Sequence, residues 1–128
     1  MSNSEEIQAN LERAKASLQA AKVLLASDLL DDATSRAYYG AFHAATALLL
    51  SRDLSFGSHA GVLRAISLNF VKTGSLPKAY GRDLSWLAEL RQIADYGEMR
   101  HVTTEEAERA IQATEQFLHQ VQEILNTS

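Results

Sequence analysis

Helical periodicity runs through almost the whole 128-residue chain, and no segment alternates apolar and polar residues as a half-buried strand would. The chain contains one proline, Pro77, and six glycines. Because proline and glycine are the least favourable residues inside a helix, their scarcity leaves long uninterrupted stretches that can be helical. The sequence therefore predicts an all-α fold.

Five helices are expected, at about residues 4–26, 31–52, 58–71, 77–96 and 103–125. Long helices joined by short loops pack as an antiparallel up-and-down bundle, here with four long helices and one shorter helix between the second and fourth long stretches. A single domain spanning residues 1–128 is expected at this length. The predicted N-terminal caps are polar residues: Ser4, Asp31 or Asp32, Ser58, and Thr103 in a capping box with Glu106.

Composition excludes several classes of function. The chain has no cysteine, which excludes disulfides, thiolate metal sites and cysteine nucleophiles. Its histidines lack the short spacings of a zinc site, so we expect no metal and no cofactor. The net charge of −4 argues against broad adhesion to nucleic acid or membrane but is compatible with a small basic cleft. Without an apolar run long enough for a membrane span or a signal-like start, a cytoplasmic location is expected.

Arg91 and Asp95 lie four residues apart within the apolar stripe of the fourth predicted helix. At about 100° per residue they share a face with Leu84 and Leu87. An ion taken out of water costs several kcal/mol even after relaxation, and attraction to a partner only roughly offsets that cost. The chain therefore keeps this pair either for architecture or for a site.

The second predicted helix has two different faces. One face is apolar and predicted to lie in the core, with Tyr38 and Phe42 among its members. The other carries Arg36, Tyr39, Gly40 and His43 within about 100° of arc. Because glycine inside a helix costs about 1 kcal/mol relative to alanine, Gly40 indicates that a neighbouring helix or a second subunit approaches closely.

Three polar residues, two on this face and one at the start of the third predicted helix, have two interpretations each. His43 is either a histidine hydrogen-bonded at the edge of a packed interface or a catalytic base. Tyr39 is either a half-buried ring with its hydroxyl satisfied or part of a binding site. His59, beside the predicted cap Ser58, is either a helix-start residue or a binding residue.

Four segments in order carry a resemblance to a known family: Ser35–Ala45 with its Ser-Arg-Ala-Tyr-Tyr-Gly-Ala-Phe-His pattern, Ser58–Val62, Phe70–Lys72, and Leu87–Tyr96. Together they resemble the HEPN domains, the higher eukaryotes and prokaryotes nucleotide-binding domains, over nearly the whole chain. The resemblance implies a bundle of four to five helices, usually a homodimer. Many members are RNases, often toxins paired with a minimal nucleotidyltransferase antitoxin.

In the active members of that family an arginine is followed, after four to six residues, by a histidine, and two subunits bring these motifs together at the dimer cleft without a metal. Histidine can move the proton of a ribose 2′-hydroxyl or of the leaving oxygen, and arginine can stabilise charge on the phosphate. In this chain Arg91 matches the arginine, but Tyr96 follows the four-residue gap. The chain therefore resembles the branch with Arg-x-x-Ala-Asp-Tyr.

Tyrosine, with a pKa near 10, is a poor proton shuttle at neutral pH, so a base would have to come from His43 or from His101, which lies ten residues beyond Arg91. Three hypotheses stay open: a metal-independent RNase, a module that binds RNA, a nucleotide or a protein without cleavage, and a structural Arg91–Asp95 ion pair. The candidate catalytic residues are Arg91, Tyr96 and His43, and the candidate binding residues are Arg36, Tyr39, Asp95 and His59.

Overall fold

The computed structural model describes residues 3–127, which fold into five α-helices and one π-helical segment. The helices are α1 (Asn3–Ala26), α2 (Leu30–Leu50), α3 (His59–Ile66), α4 (Lys78–Tyr96) and α5 (Thr104–Thr127), and the π-helical segment Ser67–Val71 continues α3. The predicted all-α helical bundle is confirmed. Within the described part of the chain, no helix is both long and apolar enough to cross a bilayer.

Helix α2 lies at the centre of the bundle and packs against α1, α3, α4 and α5. Alanine suits this position because it has the highest helix propensity and its small side chain lets neighbouring helices approach. The C-terminal turns of α2 fill the core with Leu48 and Leu49, which are fully buried. Six buried alanines line the helix: Ala33, Ala37, Ala41, Ala44, Ala45 and Ala47.

The close approach predicted at Gly40 comes from neighbouring helices. A Cβ atom on Gly40 would lie 3.1 Å from Cγ2 of Thr114 in α5 and 3.3 Å from the carbonyl oxygen of Ala14 in α1. The Thr114 hydroxyl, itself buried, donates a 2.9 Å hydrogen bond to the Ala37 carbonyl. This side of α2 is therefore sealed by direct contact with α1 and α5.

Two of the predicted caps are confirmed. The Ser58 hydroxyl accepts a 3.0 Å hydrogen bond from the Gly61 amide at the start of α3. The Glu106 amide donates to the Thr103 hydroxyl (3.1 Å), and Glu106 accepts in return from the Thr103 amide (3.0 Å). Ser58 and Thr103, each directly before a helix, therefore identified the starts of α3 and α5 from the sequence.

The other two predicted caps are wrong. Ser4 lies inside α1, which already includes Asn3. Helix α2 begins at Leu30 without a side-chain cap, and neither Asp31 nor Asp32 occupies the capping position. The carboxylate of Asp31 instead accepts a 2.8 Å hydrogen bond from the Val102 amide, so a distant loop takes the acceptor that a cap would need.

The helix that follows Ser58 ends at Val71, as predicted, but its last turn is π-helical. The Lys72 amide donates to the carbonyl of Ser67, five residues earlier, at 2.9 Å. The Asn69 carbonyl accepts a 2.8 Å bond from Arg52, and the ring of Phe70 is fully buried. Sequence periodicity over five residues cannot distinguish this turn from an α-helical one.

Candidate functional site

Arg91 extends from α4 toward α2 and is held there by two partners. Its Nε donates to a carboxylate oxygen of Asp95 at 3.1 Å, and its Nη2 donates to the hydroxyl of Tyr39 at 3.0 Å. The exposed fractions of the side chains are 16% for Arg91 and 26% for Asp95. The two side chains are therefore less buried than expected from the sequence. The side chains are partly exposed because they lie near the edge of the α2–α4 contact.

Aromatic rings of α2 flank the guanidinium. The Cζ atom of Arg91 lies 5.1 Å from the ring centroid of Tyr38 and 5.4 Å from that of Tyr39. From within α2, Arg36 places its own Cζ 4.8 Å from the Tyr39 ring. Each distance is within the range of a cation–π interaction, so Tyr39 contacts two arginines at once.

His59, the first residue of α3, completes the group. Its Nδ1 lies 2.8 Å from the Tyr38 hydroxyl, and its ring stacks on Phe42 with 4.1 Å between centroids. Phe42, predicted to be core, is half-buried and serves as a platform for this ring. We call the following five residues the Arg91 cluster: Tyr38, Tyr39, His59, Arg91 and Asp95.

The cluster fixes the charge of its members at neutral pH. Burial lowers the pKa of Arg91, but the two tyrosines and Asp95 together outweigh burial and raise it. Burial and the neighbouring Arg91 lower the pKa of His59. Burial raises the pKa of Tyr38 against the opposing effect of Arg91. The cluster therefore holds a cation, a neutral imidazole and a protonated phenol.

His43 lies one turn beyond Tyr39 on α2 and is half-buried. Burial lowers its pKa most, followed by the charges of Arg13 and Arg36 and by His59. Arg13 comes from α1 and was not among the residues chosen from the sequence, because it belongs to no recognisable motif. Three arginines thus surround this edge of α2, making it locally basic on a chain whose net charge is −4.

Tyr96 and His101 lie apart from the cluster. Tyr96 is 67% exposed, and its position, five residues after Arg91, turns its side chain about 140° around the helix from that arginine. His101 pairs with Asp31 at 2.8 Å in the first turn of α2, two turns before Tyr39. Within residues 3–127, no hydrogen bond, ion pair or ring contact joins Arg91 to Tyr96 or His101, so tertiary folding does not bring His101 to Arg91.

The structure instead brings His59 next to Arg91. These two residues are separated by 32 positions in the sequence, and no spacing rule connects them. From the sequence, His59 was either a helix-start residue or a candidate binding residue, and it belongs to the Ser58–Val62 segment of the family resemblance. The packing of α3 against α2 and α4 gives it its neighbours.

Two nitrogen atoms of the cluster have no hydrogen-bond partner in the part of the chain that the structure describes. In the described part of the chain, Nη1 of Arg91 and Nε2 of His59 have no hydrogen-bond partner, whereas Nε and Nη2 of Arg91 and Nδ1 of His59 do. A guanidinium and an imidazole N–H are suited to anionic oxygens. Among residues 3–127, no group of three or more metal-ligating side chains is close enough to hold an ion.

Comparisons with known proteins agree on one family. A family model described as the HEPN domain matches residues 7–124. The chain is 43% identical over 121 residues to a Methanocaldococcus jannaschii protein named "Putative toxin MJ0605", covering 94% of this chain and 90% of the relative. It is 38% identical over 113 residues to a UPF0332 protein of Thermotoga maritima, with 88% and 86% covered. A second M. jannaschii protein, "Putative toxin MJ0142", is 32% identical over 120 residues, with 94% and 82% covered.

Proposed function

This chain belongs to the HEPN domain family, and from that premise we propose that it acts on or binds RNA through a cleft around Arg91. We further propose that it is the HEPN half of a toxin–antitoxin-type pair whose other member is a minimal nucleotidyltransferase. The names of two relatives, "Putative toxin MJ0605" and "Putative toxin MJ0142", support the toxin part of that assignment.

The observation that carries the RNA proposal is the state of Arg91. Its guanidinium is oriented by Asp95 and Tyr39, yet Nη1 has no hydrogen-bond partner among residues 3–127. An ion pair that served architecture alone would be expected to use its donors within the protein. Oriented but available donors are typical of a site that binds phosphate or carboxylate.

Local charge favours an anion as the ligand. Arg13 and Arg36 lie near the cluster on the same edge of α2, as their effect on the pKa of His43 shows. Phosphate contacts supply most of the sequence-independent affinity for nucleic acid, and a partly exposed ring next to two arginines, here that of Tyr39, suits single-stranded RNA. The overall acidity of the chain restricts such binding to this edge.

Cleavage, where it occurs, would follow the chemistry of the ribose. The 2′-oxygen bonds to the adjacent phosphorus, the bond from phosphorus to the 5′-oxygen breaks, and the proton of the 2′-hydroxyl passes to a base while the 5′-oxygen takes one from solvent. Arg91 stabilises the charge that develops on the phosphate. His43 is the proposed base, and Tyr96, exposed at the end of α4, is the residue at the position of the family histidine.

A homodimer would place two clusters at one cleft. Three exposed large apolar side chains lie within four residues of cluster members along the sequence, and exposed apolar side chains that form one patch mark interaction sites. Phe56, three residues before His59, is 44% exposed, and Tyr96 and Met99, just after Asp95, are 67% and 97% exposed. We propose that this surface is covered by a second copy, and sedimentation of the purified protein would show a monomer if it is not.

RNA cleavage in chelator is the experiment for the enzymatic form of this proposal. Purified wild type is incubated with end-labelled RNA beside Arg91→Ala and the control Arg109→Ala. Arg109 is a matched control because its guanidinium also lies over a ring, that of Trp86 at 4.1 Å, outside the cluster. We expect cleavage by the wild type and the control and none by Arg91→Ala.

The same preparations distinguish the non-catalytic form, which the tyrosine at position 96 favours. If the wild type binds RNA without cleaving it, and Arg91→Ala does not bind it, the chain is a binding module. RNA that is neither cleaved nor bound, by protein shown to be folded, would contradict the proposed function.

The antitoxin partner has its own test. The product of an adjacent nucleotidyltransferase gene, co-expressed with this chain, should co-purify with it and restore growth that the chain alone inhibits. Growth inhibition that persists with the nucleotidyltransferase present, or the absence of any complex, would remove this part of the proposal.

A further inference from the structure

The hydroxyl of Tyr38 sits in an enclosed position with one hydrogen-bond partner. Tyr38 is 2% exposed, and its hydroxyl lies 2.8 Å from Nδ1 of His59. Burial raises the pKa of Tyr38, so the hydroxyl keeps its proton at neutral pH. A buried O–H group requires an acceptor, and Nδ1 is the acceptor that the described residues provide. Tyr38 therefore donates and Nδ1 accepts.

This direction determines the tautomer of the imidazole. A neutral histidine has one N–H group and one acceptor nitrogen, so a ring that accepts at Nδ1 carries its hydrogen on Nε2. Stacking on Phe42 at 4.1 Å between centroids fixes the plane of the ring. Within residues 3–127, Nε2 has no hydrogen-bond partner, and its N–H is available to a ligand.

The neighbours of His59 keep it neutral. Tyr38, Tyr39 and His43 face it from α2, and Arg91, paired with Asp95, faces it from α4. A second proton would have to enter at Nδ1, where it meets the hydroxyl hydrogen of Tyr38, and the positive charge of Arg91 opposes it. Burial and Arg91 accordingly lower the pKa of His59.

We propose that Tyr38 holds His59 as the Nε2–H tautomer and that this neutral imidazole, together with Nη1 of Arg91, donates a hydrogen bond to one phosphate of bound RNA. The proposal rests on the proposed function for its ligand. It gives His59 the role of a binding group and Tyr38 the role of a positioning residue. A protonated phenol occupies Nδ1, so His59 in this state does not act as a base.

The first experiment needs no RNA. Two-bond ¹H–¹⁵N correlation spectra at pH 7.5 distinguish a protonated from an unprotonated ring nitrogen, and His59→Gln assigns the signals. We expect Nε2 of His59 to be protonated and Nδ1 to be unprotonated, and Tyr38→Phe to shift the ring toward a mixture of tautomers. A wild-type ring protonated at Nδ1, or a Tyr38→Phe spectrum identical to the wild type, would overturn the proposal.

The second experiment measures affinity for a single-stranded RNA oligonucleotide. Glutamine can place an amide N–H near the position of Nε2, whereas leucine cannot donate. Because a hydrogen bond to a charged group is stronger than one between neutral groups, we expect His59→Leu to weaken binding by about tenfold or more and His59→Gln by much less. His119→Gln, at an exposed site on α5, is the matched control and should bind as the wild type does.

The outcomes separate the two proposals. Equal losses in His59→Gln and His59→Leu, with both variants folded by circular dichroism, would contradict the donor role while leaving RNA binding through Arg91 intact. A wild type that binds no RNA would contradict the proposed function and with it the role of His59 toward phosphate. The spectrum decides the tautomer in either case.

Discussion

The side of α2 that meets α1 and α5 is built from small residues in direct contact, whereas the side that meets α3 and α4 carries rings, hydroxyls and charge. A methyl group at Gly40 would contact Thr114 and Ala14 at 3.1 and 3.3 Å, closer than ordinary van der Waals contact, and the polar atom nearby, the Thr114 hydroxyl, is bonded to a carbonyl. Around Arg91, by contrast, side chains are partly exposed, and neither Nη1 of Arg91 nor Nε2 of His59 has a hydrogen-bond partner among residues 3–127. The first side can be explained by packing alone, and the second cannot.

The difference is informative because both sides belong to one helix in one environment. A packed interface gains stability from every contact and leaves little unsatisfied. The Arg91 cluster leaves donors available and keeps a histidine neutral beside a cation, arrangements that contribute little to folding. Such a local departure from the packing rules is expected where a ligand supplies the remaining contacts.

The largest effect is expected where the packed side is broken. Gly40→Val would push a branched side chain into Thr114 and the backbone of Ala14, 3.1 and 3.3 Å from the new Cβ, and overpacking of this kind costs about 1–3 kcal/mol, occasionally more. We expect a loss near the top of that range in urea unfolding. Gly57→Ala, where nothing lies within 4 Å of a Cβ, should change stability by less than about 0.5 kcal/mol. Equal losses in the two variants would contradict the packing described at Gly40.

A smaller loss is expected at Thr114. Replacing it with valine keeps the shape but removes the 2.9 Å bond to the Ala37 carbonyl, which should cost about 1 kcal/mol of unfolding free energy. RNA affinity should not change, because the residue is fully buried on the other side of α2. If Thr114→Val keeps wild-type stability but loses RNA binding, the side of α2 that faces α1 and α5 would be the binding side, which contradicts this account.

The cluster side should be sensitive to pH. Because the pKa values of His59 and His43 are lowered in the folded protein, the unfolded chain takes up protons first as pH falls through about 6.5. Stability is therefore full above that pH and decreases below it. We expect the free energy of unfolding to fall between pH 7.5 and 5.5 in the wild type and to fall less in a variant with glutamine at both positions. If the free energy of unfolding of that variant depends on pH as it does in the wild type, groups other than His43 and His59 cause the dependence.

The smallest effect is expected at a second buried threonine. Thr34 is fully buried like Thr114, but its hydroxyl has no hydrogen-bond partner in the described part of the chain. An unsatisfied buried hydroxyl is destabilising, so Thr34→Val should raise the free energy of unfolding, by up to about 1 kcal/mol, where Thr114→Val lowers it. Thermal unfolding of the two variants side by side measures this, and a loss in both would show that the Thr34 hydroxyl is satisfied.

Much of the fold follows from local signals. Helical periodicity located all five helices, and Ser58 and Thr103 identified two helix starts because a cap depends on residues within one turn. The same capping rule fails at Asp31 because its carboxylate accepts a hydrogen bond from the Val102 amide, 71 residues away. The π-helical turn after Ile66 also has no local signature that periodicity can detect.

The site was predictable only in part. The pattern around Arg91 and the polar face of α2 indicated Tyr39, Arg36 and Asp95, which the structure brings together. The contact of His59 with Tyr38, and its nearness to Arg91, depend on how α3 packs, and the degree of burial of Arg91 depends on the edge of the α2–α4 contact. These are tertiary properties that residue spacing does not encode.

Arg91→Ala tests most directly whether the cluster serves a ligand or the architecture, provided that unfolding free energy and RNA affinity are both measured on the same preparation. An exposed ion pair four residues apart on a helix contributes about 0.3–0.5 kcal/mol, and the hydrogen bond from Arg91 to Tyr39 adds about 1 kcal/mol. We therefore predict a stability loss below about 2 kcal/mol together with at least a tenfold loss of RNA affinity, and no such loss of affinity in Arg109→Ala. A large loss of stability with RNA affinity unchanged would contradict this account and make Arg91 and Asp95 a structural pair.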